Sequence, residues 1–379
     1  MLVLNEADKL LMIPGPTPVQ REILEAIGEP TISHTSAPMA DIVRRAQEGI
    51  ALAAGTEEGT IFIFSGSGTL AQEVAVLNLV APGESLLVAS NGFFGDRFVP
   101  LAEALGMRVE RLAGPWGTSV TPEMLEERLD GGDFRAVTIT QVETSTGVLA
   151  PVRELAEVAR RHGALVIVDA VCGLGGVPLE MDAAGIDVVL SGAQKALGVP
   201  PGLSILAVSP RALERRRELG RVAAYYADLL NWLPSMENPQ TYFSTHAVNL
   251  FYALAAGVEI LREEGLENRF VRHRELGATF RAGMDRLGFV SLTDPDCLSP
   301  TMSVLAYPDG LDDSFLPALS ENGVVAAACL GEFKGRGMRF GHMGNSTQAE
   351  VLQAVEAVER TMRGQGLTVP SAVGAGAAE

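Results

Sequence analysis

One lysine stands apart by its surroundings. Lys195 lies in Leu190-Ser191-Gly192-Ala193-Gln194-Lys195-Ala196-Leu197-Gly198-Val199-Pro200-Pro201-Gly202-Leu203, between the apolar run Asp187-Val188-Val189-Leu190 and a second run over 203–208. Of the 29 Lys plus Arg residues only Lys9, Lys195 and Lys334 are lysines, so a chain that carries its positive charge as arginine has put a lysine in a Gly/Pro-rich turn. Between buried strands an ammonium is desolvated, which favours the neutral amine that a Schiff base requires. A snorkelling or ion-paired lysine at a strand end would occupy the same position. Other residues must decide.

Three further features point to one ligand. Ser65-Gly66-Ser67-Gly68-Thr69 falls between a strand pattern at 60–64 and a helical pattern from Leu70. Glycines admit an anion close to the backbone, and a helix N-terminus offers free N–H groups, so this is a phosphate cradle. Gly66-Ser67-Gly68-Thr69-Leu70-Ala71 also fits a dinucleotide fingerprint, which needs an acid at the end of the next strand to hold a ribose. Ala89-Ser90-Asn91 stands there instead, and no Walker lysine is present, so a phosphate without a nucleotide fits better. Asp169 closes the run Val166-Ile167-Val168; a carboxylate at a buried strand end needs a cation or several donors. It could cap the following segment, or pair with a protonated pyridine nitrogen. Asn91-Gly92-Phe93-Phe94-Gly95 presents two phenylalanines between glycines, suited either to stacking on a flat ring or to packing under a loop. Cradle, stacker, carboxylate and lysine on successive strand-end loops make pyridoxal 5'-phosphate (PLP) the economical cofactor.

The elements around these loops alternate. Strand patterns at 60–64, 85–89, 108–112, 136–140, 165–168, 187–190 and 203–208 are separated by helical patterns at 70–79, 98–105, 122–129 and 152–162. Strands that are apolar throughout, in βαβ order, predict a mostly parallel sheet covered by helices, with ligands at the carboxyl ends of its strands. Before them come the rigid loop Met12-Ile13-Pro14-Gly15-Pro16-Thr17-Pro18, helices over 19–27 and 39–54, and the polar loop Ser33-His34-Thr35-Ser36. After them a helical stretch over 247–287, broken near Gly265, leads to strands at 289–292, 301–307, 324–329 and 338–340 and helices at 314–321 and 348–362. The expected fold class is α/β: an N-terminal arm (1–18), a large mostly parallel-sheet α/β/α domain (19–255), a smaller C-terminal α+β domain (256–364) and a disordered tail (365–379).

Composition narrows the partners. With 29 basic against 47 acidic residues the formal net charge is −18, which disfavours phosphate backbones and anionic membranes. No apolar run approaches bilayer length, and the first residues lack a secretory pattern. Cys172, Cys297 and Cys329 are too few and too far apart for a disulfide framework, and the five histidines show no metal-ligand spacing. The expectation is a cytoplasmic protein with no metal, nucleic acid or membrane partner.

The motifs together resemble class V, fold-type I PLP-dependent aminotransferases of the alanine–glyoxylate and serine–pyruvate or serine–glyoxylate group. The likeness runs from Pro14-Gly15-Pro16 to Arg339-Phe340-Gly341-His342-Met343-Gly344, through Gly66-Ser67-Gly68-Thr69, Glu143-Thr144-Ser145-Thr146-Gly147-Val148, Val168-Asp169-Ala170-Val171 and Ser191-Gly192-Ala193-Gln194-Lys195-Ala196-Leu197. It implies that Lys195 forms the Schiff base, Asp169 pairs with the ring nitrogen, and Ser67, Gly68, Thr69 and Gln194 hold the phosphate. Thr144 then contacts the ring hydroxyl, Val171 lies in the cofactor site, and Phe94 stands where relatives often stack a tryptophan. The same resemblance implies an obligate homodimer in which Tyr242 and Thr245 reach the neighbouring phosphate. Arg339 would bind the substrate carboxylate beside Gly15. The implied reaction is ping-pong transamination from alanine or serine to glyoxylate or pyruvate. Alternatives are another donor (aspartate, ureidoglycine or a phosphonate), or a cysteine desulfurase or lyase of the same fold. A regulator that binds PLP without turnover and a nucleotide-binding oxidoreductase fit the motifs less well.

Overall fold

The computed structural model describes residues 8–367; the tail expected after Gly364 lies, but for its first three residues, outside the described residues. Its centre is a seven-stranded sheet in the order Thr60–Ser65, Leu203–Val208, Val188–Gly192, Leu165–Asp169, Ala136–Thr140, Ser85–Ala89, Arg108–Leu112. Leu203–Val208 is antiparallel to both of its neighbours and all other pairings are parallel. Six strands therefore end on the same edge.

The unbroken apolar strands reflect burial on both faces. Ile61 and Ile63 point into one helix-covered core, with Leu87, Val166 and Val168. Phe62 and Phe64 point into the other, with Val88, Ile167 and Trp232. Two-residue alternation thus sorts side chains between two apolar layers. Helix boundaries follow local chemistry. Ala37–Ala54 begins at Ser36, whose hydroxyl accepts the Met39 N–H, and stops at Gly55 in the left-handed conformation (φ 69°).

Beyond it, a four-stranded antiparallel sheet runs Ala327–Ala328, Gly337–Gly341, Met302–Ala306, Val290–Ser291. Helices Leu266–Arg286, Phe315–Glu321 and Gln348–Gly364 share a core with it. Gln348–Gly364 starts on a Thr347/Glu350 capping box. Helix Val248–Glu264 runs through position 255, and its Leu254, Val258 and Leu261 belong to the large-sheet core.

Two local expectations need correction. The strand pattern at 324–329 is two strands: Val324–Val325 pairs in parallel with Leu10–Leu11, while Ala327–Ala328 pairs with Gly337–Gly341. The chain changes sheets at Ala326, which an apolar run does not reveal. Asn91–Gly95 is not an open loop either: Phe93–Asp96 forms one helical turn. As a result Phe93 is 43% exposed while Phe94 turns inward.

Among the described residues no helix is long and apolar enough to cross a membrane.

Candidate active site

A cavity of about 270 Å³ opens at the shared carboxyl edge of the large sheet. Its walls are the turns and helix starts that the strands run into. After Thr60–Ser65 comes helix Gly68–Leu77, with Ser67 at its N-cap in extended conformation and making no side-chain cap. Gly66 N–H is held by Gly202 O (2.8 Å) and Ser67 O by the Ser204 hydroxyl (2.5 Å), so the turn is fixed while the first helical N–H groups stay open. Ser67, Gly68 and Thr69 line the cavity. A Cβ on Gly68 would stand 3.0 Å from Val171 Cγ2, so glycine is what lets the cradle approach Val171. Gln194 lines the same end, and its Oε1 is buried without a partner among the described residues.

Asp169 ends its strand in register with Leu190 of the adjacent parallel strand, which carries the chain on to Lys195. The Asp169 carboxylate is buried; Oδ1 accepts the Val171 N–H (3.0 Å) and Oδ2 the Gln72 amide (2.7 Å). Capping and cavity-facing roles therefore coexist in one side chain. Burial pushes this carboxyl up, opposed first by the Val171 N–H and then by Gln72 and the charges of Lys195 and Arg97.

Lys195 is half-buried, and its Nζ donates to Pro14 O at 2.5 Å. Its carbonyl is gripped by the Thr17 hydroxyl (2.9 Å), and the next carbonyl, of Ala196, by Arg269 Nη2 (2.8 Å). Gly15 (φ 131°) passes so close that a Cβ there would lie 2.3–2.6 Å from Lys195 Cδ, Cε and Nζ. The N-terminal arm thus forms one wall of the lysine channel.

Phe94 lines the cavity, and its position is set by Glu143. That carboxylate is fully buried and accepts N–H groups from Phe94 (3.1 Å), Gly95 (2.9 Å) and Ser145 (2.9 Å) plus the Ser145 hydroxyl (2.7 Å). Burial raises its pKa; the Ser145, Gly95 and Phe94 donors oppose the shift. Thr144, next in sequence, lines the cavity with its hydroxyl 2.8 Å from the Cys172 thiol. Thr144 O accepts Arg339 Nη1 at 3.2 Å, and Ala328 O accepts Arg339 Nε at 2.8 Å.

Arg339 is 9% exposed and pairs with no carboxylate among the described residues. A buried guanidinium held only by carbonyls has donors left for an anion from outside.

Most expected residues therefore meet: Gly15, Ser67, Gly68, Thr69, Phe94, Thr144, Asp169, Val171, Gln194 and Lys195 line one cavity. Arg339 is not among the lining residues; it reaches the site's edge through its Nη1 bond to Thr144 O. Tyr242 (62% exposed) and Thr245 are exposed and do not line it; the Tyr242 ring lies 5.2 Å from His34. Gln72, Arg97 and Thr140 line the cavity without having been expected. Gln72 lies four residues after Gly68, one helical turn along the same face, a spacing that could have drawn attention to it. Arg97 donates to Thr69 Oγ1 (2.9 Å), with its guanidinium 5.9 Å from the Phe94 ring centre. Elsewhere Glu126, Asp130 and His162 cluster within 4.8 Å, but Glu126 there is already paired with Arg161 and His162.

The donor set suits PLP. Open helix N–H groups and an orphaned buried amide oxygen lie at one end, an aromatic face beside the cavity, a buried acid at a strand end and an amine in the adjoining turn. Fold and site together define an α/β enzyme of the PLP-dependent kind.

Comparison with known proteins narrows this further. Residues 16–332 match the class-V aminotransferase family, and the chain belongs to it. It is a PLP-dependent aminotransferase. It is 35% identical to an uncharacterized aminotransferase of Methanocaldococcus jannaschii, over 97% of this chain and 96% of that protein. It is 32% identical to an L-aspartate–glyoxylate aminotransferase of Paracoccus denitrificans, over 97% of this chain and 95% of that one. The crystal structure of an alanine–glyoxylate aminotransferase from Nostoc sp. superposes with a TM-score of 0.91 at 30% identity, covering 96% of this chain and 97% of its own.

Proposed function

We propose that the chain moves the amino group of a small amino acid, alanine or serine, to glyoxylate or pyruvate, with Lys195 as the amine that would hold PLP and carry the α-proton. The observation that carries this is the convergence of Lys195, Asp169 and the uncapped helix N-terminus on one cavity, with Arg339, which pairs with no carboxylate among the described residues, bonded to Thr144 O at its edge. PLP bound there supplies an aldehyde that condenses with amines and a ring that accepts the electron pair left by a departing proton.

The protein's own groups do the rest. Ser67, Gly68, Thr69 and Gln194 would hold the phosphate, and Phe94 would offer its face to the ring. Val171 lies at the cradle, and Thr144 offers its hydroxyl to the ring oxygen. Asp169 keeps the ring nitrogen protonated. Lys195 would be the amine that holds PLP, and its Nζ, once free, would be the base that carries the substrate's α-proton. Arg339 would take the substrate carboxylate, with Gly15 in the cavity wall beside Lys195.

Both relatives named for their substrates use glyoxylate, with aspartate or alanine as donor. Lys334 and Arg336, the basic residues nearest Arg339 in sequence, are exposed, which favours a neutral donor side chain. Arg97 in the cavity wall favours a second reading, an acidic donor such as aspartate. A desulfurase has little support: Cys329 is 1% exposed and its thiol is pushed up to about 12 by burial. The exposure of Tyr242 and Thr245 away from their own cavity supports a homodimer in which each serves the partner's phosphate.

The test is the absorption spectrum of the holoenzyme on adding alanine, serine or aspartate singly, then glyoxylate. Loss of the visible band with one donor and its return with glyoxylate names the reaction and the donor. Loss without return, or release of sulfide or ammonia, would transfer the protein to the lyases. No visible band after PLP addition would overturn the assignment of Lys195.

A further inference from the structure

We propose that Gln72 is a positioning residue that acts through Asp169: its amide N–H on Oδ2 holds the carboxylate ionised and keeps the shared proton on the cofactor's ring nitrogen. The inference rests on reading the cavity as a PLP site with Asp169 at the ring nitrogen.

Helix Gly68–Leu77 delivers both groups involved. Its first turn opens its N–H groups to the cradle, and one turn later it places Gln72 against the end of the neighbouring strand. Gln72 is 4% exposed, lines the cavity, and sets Nε2 at 2.7 Å from Asp169 Oδ2. Its Oε1 is buried and has no partner among the described residues. An amide kept for packing alone would leave both ends satisfied or be replaced by an apolar side chain. Here one end is orphaned and the other makes a charge-assisted bond. An ionised carboxylate only accepts, so the amide nitrogen must face it.

The chemistry follows from sharing a proton between two bases. In a carboxylate–pyridine pair the proton stays on nitrogen while the carboxylate is the weaker base. Burial strengthens the carboxylate as a base, and donors weaken it. The groups that act on Asp169 are the Val171 N–H, Gln72, Lys195 and Arg97. Cys172 also lies within its field, as does Glu143 within that of Cys172. Lys195 changes partners during turnover and Arg97 is tied to Thr69. Gln72 is the neutral side chain in direct contact with the carboxylate, so its effect is constant with pH.

The test compares holoenzymes of wild type, Gln72→Leu and Gln72→Met, loaded with PLP carrying ¹⁵N at the ring position. In wild type the ring nitrogen should give the chemical shift of a protonated pyridine across neutral pH. In both variants the shift should move toward the unprotonated value, and the pH at which it changes should fall. Turnover should drop roughly 10-fold or more with KM for the keto acid within about two-fold, the pattern of a lost charge-assisted bond that acts on the chemical step. With a cofactor analogue bearing CH in place of the ring nitrogen, variants and wild type should turn over alike. A wild-type nitrogen shift and pH profile in the folded variants would overturn the proposal, and so would an equal loss with the CH analogue. If wild type itself forms no lysine-linked visible band, the reading of the cavity fails instead. If wild type forms the band and the variants keep its nitrogen shift and pH profile, only the role of Gln72 fails.

Discussion

Lys195 and Arg339 are the two cations assigned to one substrate, and the structure holds them in opposite ways. Lys195 stands in a turn beyond a strand end, half-buried, its Nζ tethered by the single carbonyl of Pro14. Arg339 stands in the middle of Gly337–Gly341, paired with Val304 on one side and Ala327 on the other. Its guanidinium is clamped by two carbonyls. A group that must change partners during turnover sits where one contact needs to break. The group proposed to recognise a fixed carboxylate sits inside a paired strand, held at two points. In the proposed function the large sheet would supply reactivity at its edge, and the small sheet a held fork from its interior.

The largest effect should come from the mobile side. Lys195→Ala removes the amine and should lower turnover on the order of 10⁴-fold, while thermal unfolding stays close to wild type because the side chain carries no core packing. Near-normal steady-state rates in that variant would break the comparison outright. Arg339→Ala tests the rigid side: the KM for the amino donor should rise about 100-fold, more than kcat falls, because a fork that binds ground and transition states alike affects binding first. Equal losses in kcat and kcat/KM would place Arg339 in the chemical step rather than in recognition.

Gly15→Ala probes the wall beside Lys195. The added Cβ would enter the space of Lys195 Cδ, Cε and Nζ at 2.3–2.6 Å, at a φ of 131° that side chains rarely adopt. The lysine must shift, and a displacement near 1 Å typically costs up to about 100-fold in rate. Steady-state kinetics should show a fall in kcat of roughly 10- to 100-fold, between the effects expected at Lys195 and at wild type. An unchanged kcat would mean that the lysine has more room than the Pro14 tether suggests.

The two sides also differed in how readily the sequence exposed them. Asp169, Lys195 and the Ser67–Thr69 cradle were legible because each follows an apolar strand whose two-sided burial leaves a sharp boundary, and chemistry at such edges stands out. The mostly parallel sheet was legible for the same reason. What the sequence hid lies in pairs far apart along the chain: Gln72 with Asp169, 97 residues away, and Arg339 with Thr144, 195 away. Glu143 was visible only as part of a motif; that it anchors Phe94 depends on a turn 48 residues upstream. The split of the 324–329 run was hidden because apolarity reports burial and not which strand is the neighbour. Arg339 itself came from resemblance, since an arginine in a strand carries no local mark of function.

The smallest effect concerns what keeps the Arg339 side rigid. His342, directly after the Arg339 strand, is fully buried, with Nε2 2.9 Å from the Ser303 hydroxyl on the paired strand. Burial, aided by the Arg281 charge, lowers its pKa from 6.5 to about 3. The unfolded chain takes up a proton at this imidazole below pH 6.5, whereas the folded chain does so only near pH 3. Between those values the unfolded state binds more protons, so stability falls as pH falls, by about 1.4 kcal/mol per pH unit for this histidine. His273, shifted the same way by burial and by Arg269 and Arg272, adds its own share. Urea denaturation of wild type and His342→Gln at pH 7, 6, 5 and 4.5 should give curves whose stability difference narrows as pH falls, since glutamine takes up no proton. A constant difference between the two proteins across that range would mean that His342 is protonated in the fold, and that the sheet holding Arg339 is more open than its burial indicates.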